Sequence, residues 1–128
     1  MHLPPGFNTV TAYFFVKCAD AYIDFLIRGL NGVEVLRHKN GNRITNAQVR
    51  IGNSTVMLSE ASTEFPATQS AHYLYVENAD LAMSIALSAG AIKIMEVANM
   101  PYKDRQGGIK DPEGNIWWLS ERLIEGSY

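Results

Sequence analysis

Apolar and polar positions alternate with two different periods along this chain, and the order of those periods occurs twice. Residues 9–17 (TVTAYFFVK) are rich in β-branched and aromatic side chains and predict a strand. In CADAYIDFLIRGL, the apolar Tyr22, Ile23, Phe25, Leu26, Ile27 and Leu30 make a broad helical stripe. Asp20 is a helix-start residue, and Asn31 with Gly32 supplies the stop. Three strands are expected next, near 33–38, 43–51 and 54–60, turned by KNGN at 39–42 and GNS at 52–54. The small, polar stretch 61–69 (ASTEFPATQ) contains Pro66 and predicts a linker. The order then repeats, with a strand at 71–77 and a helix at 79–89 ended by Gly90. Strands near 92–97, 105–111 and 115–121 complete it, the last two joined by DPEGN at 111–115.

Each half therefore reads βαβββ, which predicts an α+β protein with helices on one face of its sheets. The repetition is literal as well as periodic. Tyr13/Tyr73, Val16/Val76, Ala19/Ala79 and Asp20/Asp80 coincide at an offset of sixty, and after one inserted residue MLSE at 57–60 matches WLSE at 118–121. Two such copies predict one domain, residues 1–128, built from a module at 7–60, the linker 61–69 and a module at 70–123.

Side chains two apart on a strand share a face. Phe14 and Val16, like His72, Leu74 and Val76, then belong toward the helices. Thr11, Tyr13, Phe15, Ala71, Tyr73 and Tyr75 belong to the opposite face. The same rule separates Val49, Ile51, Val56, Leu58, Trp117 and Leu119 from Asn46, Gln48, Arg50, Met57, Trp118 and Ser120. The second set is amphipathic and aromatic, and curled mixed sheets with that face inward would enclose a ligand cavity.

Composition narrows the partners. The chain has 128 residues, 47% of them hydrophobic and 19% charged, enough for a core and without the long apolar run of a membrane span. A net charge of −2 and the lack of a Lys/Arg cluster argue against nucleic acid. The single cysteine, Cys18, permits no internal disulfide and reads as a small, buried or half-buried thiol. The N-terminal HLPPGF is not a signal sequence, so a cytoplasmic location is expected.

The junction FVKCADAYIDF and the ending DRQGGIKDPEGNIWWLSERL, set in two βαβββ halves, resemble the vicinal oxygen chelate superfamily of glyoxalases, bleomycin-resistance proteins and dioxygenases. The likeness covers residues 7–123, and TVTAYFFV, IGNSTVML and YKDRQGGIKDPEGNIW are most similar to its PhnB-like branch. The resemblance implies a glyoxalase/bleomycin-resistance fold and a homodimer. It also implies four strand positions that in metal-using members carry His, Gln or Glu. Here they fall on Thr11, Met57, Ala71 and Trp118, which cannot supply the three N, O or S donors a catalytic divalent site needs. No metal or other cofactor is expected there. The PhnB-like pattern has His in place of Asn46, so an acid-base group is absent too.

Candidate ligand contacts are Tyr13, Phe15, Asn46, Gln48, Met57, Tyr73, Tyr75, Tyr102, Arg105 and Trp118. The aromatic rings suit a planar or cationic small molecule, and three Tyr hydroxyls on one face favour a wet pocket. Asn46 and Gln48 offer amides, Arg105 could anchor an anion or pair with a nearby acid, and Gly107 and Gly108 would let another group come close. The resemblance thus suggests a metal-free binding or sequestration protein. The alternative is a lyase, isomerase or dioxygenase of the superfamily, with a metal relocated to His72 and carboxylates such as Glu60 or Glu121, or with metal-independent acid-base chemistry.

Overall fold

The computed structural model describes Met1–Tyr128. The chain divides into two compact units, Met1–Thr68 and Gln69–Tyr128. In the first, β1 (Tyr13–Val16), α1 (Ala19–Leu30), β2 (Val33–Asn40), β3 (Arg43–Ile51) and β4 (Ser54–Glu60) follow in sequence. The second contains β5 (Ala71–Tyr75), α2 (Ala79–Ser88), β6 (Ile92–Asn99), β7 (Asp104–Lys110) and β8 (Ile116–Arg122). Strand orders are β1-β4-β3-β2 and β5-β8-β7-β6. Each sheet is mixed, since β1 and β5 run parallel to β4 and β8 while the remaining pairs are antiparallel. Neither sheet closes on itself.

The expected helices form because each buries one stripe. Tyr22, Ile23, Phe25, Leu26 and Leu30 of α1 are buried with Phe14, Val16, Ala47, Val49 and Leu58 from the sheet. Asn31 takes a left-handed conformation at the helix end, φ 59°, and the Gly32 N–H donates to Leu26 O at 2.9 Å. A Cβ on Gly32 would lie 2.7 Å from Val49 Cγ1, so glycine also admits the helix end onto β3. Cys18 stands at the α1 N-cap with an exposed thiol, not the covered one expected. Helix α2 is capped by Asn78, whose side chain accepts from Leu81 N–H at 3.0 Å, and Glu121 Oε1 accepts from Ala79 N–H at 3.0 Å.

Two features depart from simple alternation. Ile44 and Ala47 are both buried although they lie three positions apart, which simple alternation would put on opposite faces. A register shift between His38 and Lys39 on the facing strand marks the bulge that permits this, and it leaves Asn46 and Gln48 together on the other face. At β1 the ladder starts at Tyr13, later than the expected Thr9. Upstream, Gly6 O accepts from the Thr55 hydroxyl at 2.7 Å, which draws the preceding chain onto β4.

Candidate ligand-binding face

The second sheet carries its chemistry on the face opposite α2. Tyr73 pairs with Trp118, Gly108 with Trp118, and Gln106 with Ser120, so these side chains share one surface across β5, β8 and β7. Trp118 lies against β7 because Gly108 has no side chain; a Cβ there would stand 2.5 Å from Trp118 Cζ3. Gly107 does the same on the helix face, where a Cβ would come 2.7 Å from Met83 Cε. Tyr73 and Tyr75 are neighbours, with ring centroids 5.2 Å apart.

Beneath the rings is a buried acid. Asp104 has no exposed surface, and Oδ2 accepts from the Tyr73 and Tyr128 hydroxyls, each at 2.6 Å. Arg122 Nη1 donates to Asp104 Oδ1 at 3.0 Å. Burial pushes the Asp104 carboxyl up, but the donors Tyr128, Tyr73 and Arg122 together outweigh it and hold the pKa below the ordinary value. The same contacts raise both phenols: burial and then the Asp104 bond act on Tyr73, while Asp104 and then Tyr75 dominate at Tyr128. Tyr102 donates to Gln106 Oε1, and Gln106 Nε2 donates to Ser120 Oγ at 2.7 Å. No buried side-chain N or O in the protein lacks a hydrogen-bond partner.

Two recesses open over this network. One of about 460 Å³ is lined by Tyr73, Tyr75, Tyr102 and Tyr128. The other, about 330 Å³, is lined by Tyr73, Met95, Tyr102, Gln106 and Trp118. Both are shallow and open broadly to solvent.

The first unit holds the other expected contacts. Tyr13 and Phe15 have centroids 5.1 Å apart, and Phe65 stacks on Phe15 at 5.5 Å and 12°. Met57 pairs with both Tyr13 and Gln48, and Gln48 Nε2 donates to Asn46 Oδ1 at 3.4 Å. These five residues are thus brought onto one face.

Arg105 is a correction. It shares its strand face with buried Ile109 and lies on the helix side of β7, where Nε and Nη2 bind the two Asp80 oxygens at 2.8 and 3.0 Å. Nη1 donates to Asn99 Oδ1 at 3.0 Å, so all three nitrogens are engaged away from Tyr73 and Trp118. The parity of Ile109 as a core residue carried this signal in the sequence, and the same parity places Asp104 with the rings. Tyr128 was missed because it lies beyond the repeat.

The four positions that the sequence resemblance implies for a metal offer few donors. Thr11 donates weakly to Asn8 O at 3.4 Å, and Met57, Ala71 and Trp118 offer at most a thioether, so the residues do not fit a divalent ion. Nor does a relocated cluster form, since no three His, Cys, Asp or Glu side chains gather at metal-holding spacing. His72 instead meets Ser70 Oγ at 2.7 Å and stacks on Trp117 at 4.8 Å, while Glu121 caps α2.

No protein-family model matches the chain. An uncharacterized protein of Mycobacterium bovis, Mb0911c, is 27% identical, covering 91% of this chain and 84% of the relative. Among solved structures, TioX from Micromonospora sp. ML1 superposes with a TM-score of 0.73 at 21% identity, covering 89% of this chain and 99% of that one. A glyoxalase/bleomycin resistance protein/dioxygenase superfamily member from Sphaerobacter thermophilus gives 0.70 at 18% identity, with 89% and 96% covered. TnmS3, an antibiotic binding protein from Streptomyces sp. CB03234, gives 0.69 at 17%, with 94% and 99% covered. The chain has the glyoxalase/bleomycin-resistance fold that the sequence resemblance implied. No helix is long and apolar enough to cross a membrane.

Proposed function

We propose that this protein binds and sequesters a planar aromatic small molecule on the face of its second sheet, between Tyr73 and Trp118, without using a metal at the superfamily's ligand positions. The observation that carries the reading is the pair of recesses that share Tyr73 and Tyr102 as walls, the smaller one also lined by Trp118, above a hydrogen-bonded polar floor. Aromatic walls supply stacking area for a planar ligand. The likeness to TnmS3, an antibiotic binding protein, is consistent with a binding role. Tyr13, Phe15, Met57, Asn46 and Gln48 form a corresponding face in the first unit, and we assign them to ligand contact as well. We also infer a cytoplasmic homodimer, the assembly that the family resemblance implies.

Thermal denaturation across a library of planar aromatic compounds tests the reading. A ligand at a hundred times its Kd should stabilise the fold by about 2.7 kcal/mol, and Trp118→Ala should abolish the shift. A library without a single saturable stabiliser would overturn it.

A further inference from the structure

The segment after β8 returns across the aromatic face, and its last side chain forms one wall of the larger recess. Arg122 Nη2 holds it by donating to the carbonyls of Gly126 at 3.2 Å and Ser127 at 3.0 Å. Tyr128 then enters as a phenol. Its hydroxyl donates to Asp104 Oδ2 at 2.6 Å and meets the Tyr75 hydroxyl at 2.7 Å. The Arg122 guanidinium lies over its ring at 4.2 Å from the centroid, and Tyr102 meets it edge-on at 6.4 Å. Since Tyr128 spends its proton on Asp104, Tyr75 is the donor between the two phenols. The ring contacts recognise an aromatic ring, and the two hydroxyl contacts with Asp104 and Tyr75 recognise its hydroxyl.

Resting on the small-molecule reading above, we infer that the position of Tyr128 is a subsite for an aryl hydroxyl, which the protein's own tail occupies until a hydroxylated fused-ring ligand displaces it. Tyr128 keeps 68% of its surface exposed and Tyr73 43%, so the ring is seated but not enclosed. The two recesses share Tyr73 and Tyr102 as walls. A ligand whose hydroxyl replaces that of Tyr128 on Asp104 can therefore extend over Tyr73 toward Trp118. Self-occupancy lowers apparent affinity by the fraction of time the tail is engaged.

Titration with 2-naphthol and with its methyl ether, 2-methoxynaphthalene, tests this. The ether has the same rings but cannot donate to Asp104. If the tail is seated about nine-tenths of the time, Tyr128→Ala should bind 2-naphthol about tenfold more tightly than the unsubstituted protein. Tyr128→Phe, which keeps the ring and loses the hydroxyl bond, should fall between them. The ether should bind more weakly and gain less than 2-naphthol from Tyr128→Ala. In the unsubstituted protein, 2-naphthol should also shift the Gly126 amide resonance as the tail leaves. An unchanged 2-naphthol affinity in Tyr128→Ala, an equal gain for the ether, or an unmoved Gly126 resonance would overturn the subsite. If binding depends on Trp118 but not on Tyr128, only this inference fails. If neither probe binds any variant, the subsite fails, and the small-molecule reading fails with it only if the wider library of planar aromatic compounds also yields no stabiliser.

Discussion

His72 and Asp104 are ionisable side chains whose folded environments both favour the deprotonated form, in separate pH windows. His72 is half-buried against Trp117, and burial lowers its pKa below 6.5 despite the opposing pull of Asp111. The unfolded chain therefore takes up that proton more readily than the folded one. Stability contributed here is present above pH 6.5 and declines as pH falls through the window just below it. The midpoint of thermal unfolding should drop between pH 7.5 and 5.5, and His72→Gln should flatten the slope; an equally steep slope in the variant would refute the assignment. Asp104 acts in a lower window. Its pKa is depressed below 3.8, so its contribution is complete above that value and is lost only as pH falls through the depressed one. Residue by residue, the face shared by Tyr73 and Trp118 was legible because alternation places side chains two apart together. Asp104 joined to Tyr128 was not, because that bond spans twenty-four residues and depends on how the chain leaves β8.

At the scale of elements, β7 is positioned by glycine. It lies between β8 and β6, hydrogen-bonded on both sides, so its backbone cannot retreat from a new side chain. Gly108→Ala would place a methyl 2.5 Å from Trp118 Cζ3 and force the indole off the sheet. We expect a destabilisation of about 1–3 kcal/mol, the usual cost of overpacking, together with a shift in tryptophan emission and weaker binding of an aromatic ligand. Denaturant unfolding followed by fluorescence would check all but the last, and a stability unchanged within error would show that the indole is free to move. Strand and helix periods located every element before the structure did. Their ends were less legible where tertiary contacts decide them: β1 loses residues 9–12, and Asp104 joins β7 one residue early, following the Lys103 turn at φ 70°. The charge of Arg105 alone allows an anion contact or a pairing with an acid; the parity of Ile109 assigns it to the helix side, where it ties β7 to the first turn of α2 through Asp80.

Across the whole molecule the duplication reaches beyond the core. Val33 and Val35 are 59% and 54% exposed on β2, and the corresponding Ile92 and Ile94 are 66% and 42% exposed on β6. Both strands end their sheets, so each module repeats an uncovered apolar pair at an open edge. The two-residue period alone did not reveal this, because a strand that ends a sheet has the same pattern as one inside it. Exposed edges of this kind invite pairing with another chain, and neighbouring charges at Glu34, Arg37 and Lys93 limit how far it can propagate. This favours the proposed homodimer. Light scattering on the purified protein should give about twice the chain mass of 14.2 kDa at micromolar concentration. Val35→Lys combined with Ile94→Lys should lower the mass toward that of one chain while leaving the circular dichroism unchanged, because neither side chain is in a core. A mass of one chain for the unsubstituted protein would remove the dimer. An unaltered dimer in the double variant would place the contact away from these edges.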